Sequence, residues 1–324
     1  MQQEIRFATF NVFNLAPPGA RLYDNLLPST PEEYEAKIAW TARQIDLLDA
    51  DVIGFQEIFS QGALKEALAR TRKYRDAHHV GFDPDPSAPR LTPSVALVSR
   101  LPLAGPGTAQ HLLPPGVALP PGSRDADRFT RAVIHVPVVA SPDCTIDVVV
   151  VHLKSRRPDY RNGDTGEDAQ VYAMACLRSL VRRGTEAVAL RVLLTDMARV
   201  NKRAQVVLGD FNDVADAVTT TIVLGVGTPL AGRLFDAYQL QKRQDHLRHV
   251  GFSMLSEGSY TTIDHILVSE QFNPALPDAI GEVLDVVYLN DHVVLALPEA
   301  SDHGQVLARI RLFDETRGLS DAGV

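Results

Sequence analysis

No run of about eighteen apolar residues occurs in this chain, so no membrane-spanning helix is expected. Cysteine is scarce: Cys144 and Cys176 are the whole complement, and neither sits in a Cys-x-x-Cys pair. That spacing excludes a zinc ribbon and a dithiol redox motif and leaves a single disulfide without support. Long basic tracts are missing and the net charge is -8, which argues against a tight, sequence-reading DNA binder. An enzyme that meets phosphate at one small site remains compatible with that balance. The start, Met1-Gln2-Gln3-Glu4-Ile5-Arg6, has no basic segment followed by an apolar one. We therefore expect no secretory leader and a cytoplasmic location. Repeats and composition shifts are also lacking, so residues 1–324 are read as one domain.

Apolar residues make up 45% of the chain, enough for a sizeable core. Strands are expected over Ile5–Asn11, Asp51–Phe55, Val95–Ser99, Thr130–Val139, Thr145–Leu153, Ala204–Leu208, Thr262–Val268 and Gln305–Leu312. Thr30-Pro31-Glu32-Glu33 reads as a helix start, with an N-cap, proline in the first turn and acids behind it. The apolar spacing of Ala36, Ile38, Ala39, Trp40, Ala42, Ile45 and Leu48 carries that helix to about Asp49. Further helices are expected over Gly62–Arg70, Ala169–Arg183 and Glu186–Asn201. Residues 83–93, 104–124 and 156–168 read as loops. Interleaved strands and helices, together with hairpin-like strand pairs, fit an α/β fold of two packed mixed sheets flanked by helices.

The most informative run is Val206-Val207-Leu208-Gly209-Asp210-Phe211-Asn212-Asp213. Three apolar residues predict a buried strand, and the glycine is read as letting the backbone turn. On an extended backbone Asp210 and Asn212 share one side. The pair suits a hydrated cation beside a phosphate oxygen. It equally suits a turn in which both side chains bond the backbone.

Polar residues recur at the ends of other apolar strands. Asn11 ends the first, Glu57 follows the second, and His152 with Lys154 ends the valine run. Asp264 stands among apolar residues, where an acid must be paired or ligating. Ser301-Asp302-His303 precedes the last strand. Hydrolysis of a phosphoester needs an activated water, charge neutralisation at phosphorus and help for the leaving oxygen. Glu57, Asp302, Asn11 and Asp210 offer the oxygens that Mg²⁺ takes. His303 is placed to act as general base, with Asp264 to orient it. His152 offers a hydrogen bond or proton to phosphate and Lys154 a positive charge. Alone, His152 fits a satisfied core histidine at least as well. Asp-His also occurs at Asp245-His246, Asp264-His265 and Asp291-His292, and Asp291-His292 likewise precedes an apolar run.

Six segments in order carry a resemblance: Ala8-Thr9-Phe10-Asn11, Asp51-Val52-Ile53-Gly54-Phe55-Gln56-Glu57, Val151-His152-Leu153-Lys154-Ser155, Leu208-Gly209-Asp210-Phe211-Asn212, Ile263-Asp264-His265-Ile266-Leu267 and Ser301-Asp302-His303. Together they resemble the endonuclease/exonuclease/phosphatase family, which holds pancreatic-type deoxyribonucleases, abasic-site endonucleases, inositol polyphosphate 5-phosphatases and neutral sphingomyelinases. The resemblance implies a four-layered α/β-sandwich, with Mg²⁺, or Mn²⁺ as substitute, at its top. It implies Asn11 and Glu57 at the metal, Glu57 as main ligand, and Asp302 beside it. It implies that Asp210 and Asn212 position nucleophile and phosphate, that Asp264 pairs with His303, and that His152 touches phosphate. Two departures stand out. Gly304-Gln305 replaces the residue and proline that often follow Ser-Asp-His, and His265 stands where an aromatic is common. The loop from Arg156 and Arg157 to Arg161 fits either contact with substrate phosphates, Arg157 foremost, or a solvated charged loop. Arg191 on the following helix is a further candidate to face the site.

The expected activity is metal-dependent phosphoester hydrolysis, with nucleic acid as substrate. The alternative is a phosphatase or phosphodiesterase acting on small or lipid-derived esters, and a non-catalytic binding relative is a third reading. No protein partner is evident from the sequence.

Overall fold

The computed structural model describes residues 3–83, 90–161, 163–227, 232–242 and 251–313. In chain order its strands are β1 (Glu4–Leu15), β2 (Val52–Ile58), β3 (His78–Gly81), β4 (Ser94–Ser99), β5 (Thr108–Leu112), β6 (Arg128–Ser141), β7 (Cys144–His152), β8 (Gln205–Asp210), β9 (Leu234–Asp236), β10 (Met254–Ser256), β11 (Ser259–Thr261), β12 (Asp264–Ser269), β13 (Gly281–Leu289) and β14 (Gln305–Leu312). The helices are α1 (Pro31–Leu48), α2 (Gln61–Ala69), α3 (Ala169–Asn201), α4 (Val218–Leu224), α5 (Ala237–Leu240) and α6 (Asp291–Leu295).

Two six-stranded sheets result, in the orders β13-β14-β1-β2-β4-β3 and β5-β6-β7-β8-β12-β9, plus the small ribbon β10-β11. Each large sheet is mixed: β1 and β2 run parallel in one, β7 and β8 in the other, beside antiparallel neighbours. Strand alternation decides the layers. Ile5 and Phe7 of β1, Val148 and Val150 of β7, and Val206 and Leu208 of β8 meet in one core between the sheets. The opposite faces are covered by helices. Phe10 and Phe55 pack with Ile38 and Trp40 of α1, while Val149 and Val207 pack with Leu190 and Leu194 of α3. The four-layered sandwich is borne out.

Gly54 sets how closely the sheets approach. A Cβ there would lie 2.8 Å from Leu208 Cβ and 3.1 Å from Val150 Cγ1. Gly209 has the same kind of reason rather than a turn. It lies within β8, and a Cβ would come 2.4 Å from Val151 Cγ2 and 2.5 Å from the Val151 carbonyl oxygen.

The start of α1 matches the expectation and adds to it. Glu33 N–H donates to Thr30 Oγ1 at 3.2 Å, and Thr30 N–H donates to Glu33 Oε2 at 2.9 Å, a capping box. Two expectations need correction. Ala169–Arg183 and Glu186–Asn201 form one 33-residue helix, α3. Gly184 does not break it, because a single glycine costs only about 1 kcal/mol relative to alanine in a helix interior. Within 104–124, Thr108–Leu112 is β5, an edge strand whose largely exposed side chains give no buried periodicity. β13 was also not expected, although Val283 and Val286 are buried in the inter-sheet core. Asp245-His246 and residues 84–89 of the proline-rich stretch lie outside the described residues. Cys144 and Cys176 are both free thiols. No described helix is long and apolar enough to cross a membrane.

Candidate active site

Polar residues begin where the inter-sheet alternation of apolar residues runs out. After Val148 and Val150 comes His152; after Val206 and Leu208 comes Asp210; ahead of Ile266 stands Asp264. These three lie in one row across adjacent strands, with His152 opposite Asp210 and Asp210 opposite Asp264. On the facing sheet Asn11 lies opposite Gln56. All are buried.

Glu57 reaches the site through a broken strand. Regular alternation would send it to the face opposite Gln56. Instead β1 and β2 change register between Asn11 and Leu15, and Phe13, Asn14 and Glu57 have φ of 56°, 56° and 60°. Non-glycine residues in this left-handed region cost on the order of 1–3 kcal/mol each and gather at functional sites. The two irregular segments hold each other: Asn14 N–H donates to Glu57 Oε2 at 3.0 Å.

Asn212 differs from the strand-based expectation. β8 ends at Asp210, and Asn212 has φ 53°. Its N–H donates to Asp210 Oδ1 at 2.8 Å, and its Nδ2 donates to the Leu153 carbonyl at 3.0 Å. An Asx-type turn, not strand pleating, keeps the two side chains together. The turn and site readings of this segment are therefore compatible.

Asp210 Oδ2 accepts from Asn11 Nδ2 at 3.0 Å and lies 3.3 Å from His152 Nε2. Burial, reinforced by the Asp264 charge, pushes the Asp210 carboxyl up to about 7. Asp264 Oδ2 accepts from His303 Nδ1 at 2.8 Å, while Asp264 Oδ1 is buried without a hydrogen-bond partner among the described residues. Burial disfavours a charged His303, but the charge of Asp264 and its hydrogen bond outweigh this and raise the imidazole well above its usual value.

The loop bearing His303 is fixed on three sides. His303 N–H donates to Ser301 Oγ at 3.0 Å, and Ser301 Oγ donates to the Asn11 carbonyl at 2.6 Å. Gly304 N–H donates to the Ser253 carbonyl at 2.7 Å, while Ser253 Oγ accepts from Ile263 N–H at 3.0 Å and Asp264 N–H at 3.1 Å. One serine thus positions both members of the His303–Asp264 pair. His292, of the alternative Asp-His pair, lies in α6 and donates from Nε2 to the His303 carbonyl at 2.8 Å. Asp302 keeps a half-exposed side chain, with Oδ1 3.9 Å from His303 Nε2.

His152 Nδ1 is buried and has no hydrogen-bond partner among the described residues. Burial, then the Arg131 charge, pushes its pKa well below the usual value, so the ring is neutral. Lys154 Nζ donates to the Ser155 and Arg157 carbonyls at 3.1 Å each, and burial with Arg131 lowers it to about 8. The Arg157 guanidinium lies over the Tyr23 ring at 5.6 Å, whereas Arg156 pairs with Asp213. Arg191 is tied to Thr195 and to the Val223 and Gly232 carbonyls, a structural role between α3 and α4. His265 bonds Asp236 at 3.0 Å and packs edge-on to Phe211, filling an aromatic's place while satisfying both nitrogens.

Sequence reading missed Lys37, Tyr23 and Arg131, which lie in no motif. Lys37 Nζ donates to the Ala300 carbonyl at 3.1 Å, just ahead of Ser301-Asp302-His303. Burial lowers it to about 8, against the pull of Asp302 and Glu57.

The donor set suits a hard cation. Asp210, Asp264 and His303 bring ligand atoms within 4.8 Å of one another, and the charges of Asp264 and Glu57 both act on Asp210. The unpartnered Asp264 Oδ1 and the raised Asp210 carboxyl mark an excess of buried negative charge that a divalent cation would offset.

Solved structures share this architecture. An endonuclease/exonuclease/phosphatase from Bacteroides vulgatus is 17% identical, with a TM-score of 0.61 over 96% of this chain and 100% of that one. The human Nocturnin catalytic domain, solved with a bound sulfate anion, is 16% identical with a TM-score of 0.57, covering 96% and 98%. A mannosyl-6-phosphatase from Bacteroides thetaiotaomicron is 16% identical with a TM-score of 0.57, covering 94% and 99%. At these identities the likeness is one of fold. No curated protein sequence matches the chain. The family model for the Endonuclease/Exonuclease/phosphatase family matches residues 8–303, and with the sandwich fold this establishes that the chain belongs to that family.

Proposed function

We propose that this protein is a divalent-cation-dependent hydrolase that cleaves phosphodiesters of nucleic acid by water attack. The observation that carries the reading is the buried His303 Nδ1–Asp264 Oδ2 bond of 2.8 Å, formed beside Asp210 at the head of the inter-sheet core. It leaves Nε2 of His303 as the nitrogen that can take a proton.

In the proposed reaction a water gives a proton to His303 Nε2 as its oxygen bonds to phosphorus. The opposite P–O ester bond breaks, and the leaving oxygen keeps the electron pair and takes a proton from solvent. Asp264 steadies the imidazolium through its bond to Nδ1, as a buried carboxylate does for a catalytic histidine. Asp210 and Asn212 position water and phosphate. His152, neutral, donates to a phosphate oxygen, and Lys154 and Arg157 add positive charge around the substrate. Glu57, Asn11, Asp302 and Asp210 would hold Mg²⁺, or Mn²⁺ in its place. When bound, the cation supplies charge neutralisation at the phosphate and the leaving oxygen.

A second reading, a phosphatase or phosphodiesterase for small or lipid-derived esters, is favoured by the net charge of -8. Long polyanions are held by clustered Lys and Arg. A hydrolysis panel of plasmid DNA, abasic duplex, RNA, a synthetic bis-ester and phosphomonoesters, each with Mg²⁺ and Mn²⁺, decides between them. Cleavage of at least one nucleic acid is expected. Turnover of phosphomonoesters or small diesters alone would overturn the nuclease reading and leave the second.

A further inference from the structure

The two segments that carry Glu57 and Asp302 meet at one side chain that belongs to no motif. Lys37, in α1, donates from Nζ to the Ala300 carbonyl at 3.1 Å, directly ahead of Ser301-Asp302-His303. The same ammonium lies 5.7 Å from the centroid of the Phe13 ring and 5.3 Å from that of Trp40. Phe13 belongs to the break in β1, with φ 56°, and the next residue, Asn14, donates its N–H to Glu57 Oε2. One ammonium therefore reaches both the segment that delivers Asp302 and the segment that props Glu57. Burial disfavours its charged form, while the charges of Asp302, Glu57 and Glu299 all favour it.

Trp40 gives the lysine a fixed bed. It is buried, and its ring meets Phe10 edge-on at 6.0 Å and His292 edge-on at 5.1 Å. His292 Nε2 in turn donates to the His303 carbonyl at 2.8 Å. The Ser301–His303 turn is thus gripped at both ends, by Lys37 at the Ala300 carbonyl and by His292 at the His303 carbonyl. Both grips rest on the same indole ring. Holding a lysine still costs side-chain entropy, and the attraction of the ammonium to the aromatic rings helps to offset it.

We infer that Lys37, bedded on Trp40, is a positioning residue for the hydrolytic site: it holds the Asp302 and Glu57 segments in the mutual placement that a divalent cation requires. It acts through the Ala300 carbonyl and the Phe13 ring, and touches neither substrate nor cation. Groups behind the ligands set both cation affinity and turnover by orienting the side chains in front of them.

This inference rests on the cation-dependent hydrolase reading, so its test includes binding as well as turnover. Calorimetry of Mn²⁺ added to metal-free wild type and metal-free Lys37→Gln gives a sign that separates positioning from plain charge. Removing a positive charge beside Asp302 and Glu57 would by itself tighten cation binding. Loss of positioning should instead weaken it by about tenfold. For a chromogenic phosphodiester in saturating Mg²⁺, kcat should fall by a similar factor while KM stays within about twofold. Lys37→Arg keeps a cation that can donate and can stack on the rings, and should return both quantities to within about threefold of wild type. Tighter or unchanged Mn²⁺ binding in Lys37→Gln, or a Lys37→Arg protein no better than Lys37→Gln, would overturn the inference and leave the hydrolase reading standing. A wild type that binds no Mn²⁺ and turns over no phosphoester would overturn that reading and the inference with it. Should Lys37→Gln not fold, the wild type decides. Trp40 is the chain's single tryptophan, so its emission reports the bed of Lys37 directly. That emission should change saturably as Mg²⁺ is added, and emission indifferent to Mg²⁺ would overturn the inference.

Discussion

Asp264 opens a strand of one sheet and His303 stands ahead of a strand of the other, yet Asp264 Oδ2 and His303 Nδ1 meet at 2.8 Å across the sandwich. Ser253 carries the alignment, bonding the backbone of Asp264 through its hydroxyl and the backbone of Gly304 through its carbonyl. The pair therefore depends on how the two sheets dock.

Replacing His303 by Asn keeps a polar side chain of smaller size and removes the proton acceptor. Turnover of a chromogenic phosphodiester should fall by about 10²–10⁴-fold, the range for losing a general base. Circular dichroism melting checks that the fold survives. Turnover within threefold of wild type would reject His303 as the base.

Asp264→Asn removes the charge that holds the His303 pKa up. A raised pKa keeps the base protonated to higher pH, so losing that charge shifts the acid limb of the kcat/KM profile to lower pH. Plateau activity should fall as well, because the imidazolium loses its counter-charge. A rate–pH series on both proteins measures the shift, and an acid limb displaced upward would contradict the pairing.

Chelation by EDTA should abolish hydrolysis, with Mg²⁺ or Mn²⁺ restoring it. In Glu57→Gln the Mg²⁺ concentration for half-maximal activity should rise about tenfold or more. Full activity in EDTA would sink the cation requirement, and an unchanged Mg²⁺ dependence would remove Glu57 from the ligand set.

Two glycines should respond in opposite directions. Gly209→Ala forces a Cβ to 2.5 Å from the Val151 carbonyl oxygen, a backbone atom with little room to retreat, so about 1–3 kcal/mol of stability should be lost. Gly184→Ala, with nothing within 4 Å of the new Cβ in the middle of α3, should gain roughly 0.5–1 kcal/mol. Urea denaturation of both variants measures the difference.

Much of the site was legible because strand alternation continues into it. The register that buries Val148 and Val150 also delivers His152, and the one that buries Val206 and Leu208 delivers Asp210. Lys37, Arg131 and Tyr23 were not legible, since each comes from an element with no motif and acquires its neighbours only through packing. Gly209 was read for a turn and proved to be needed for close approach to Val151, a contact between strands more than fifty residues apart.

By itself the sequence determined which strands are buried, where each one ends in a polar residue, and the order of six segments that marks the family. Those properties are local, set by side-chain period and by residues adjacent in the chain. The tertiary structure decided which polar ends face one another. It broke β1 and β2 to bring Glu57 out of alternation and turned Asn212 back onto Asp210. Charge balance and hydrogen-bond partnership depend on distances across the sandwich, and the docking of the two sheets around Gly54 sets those distances.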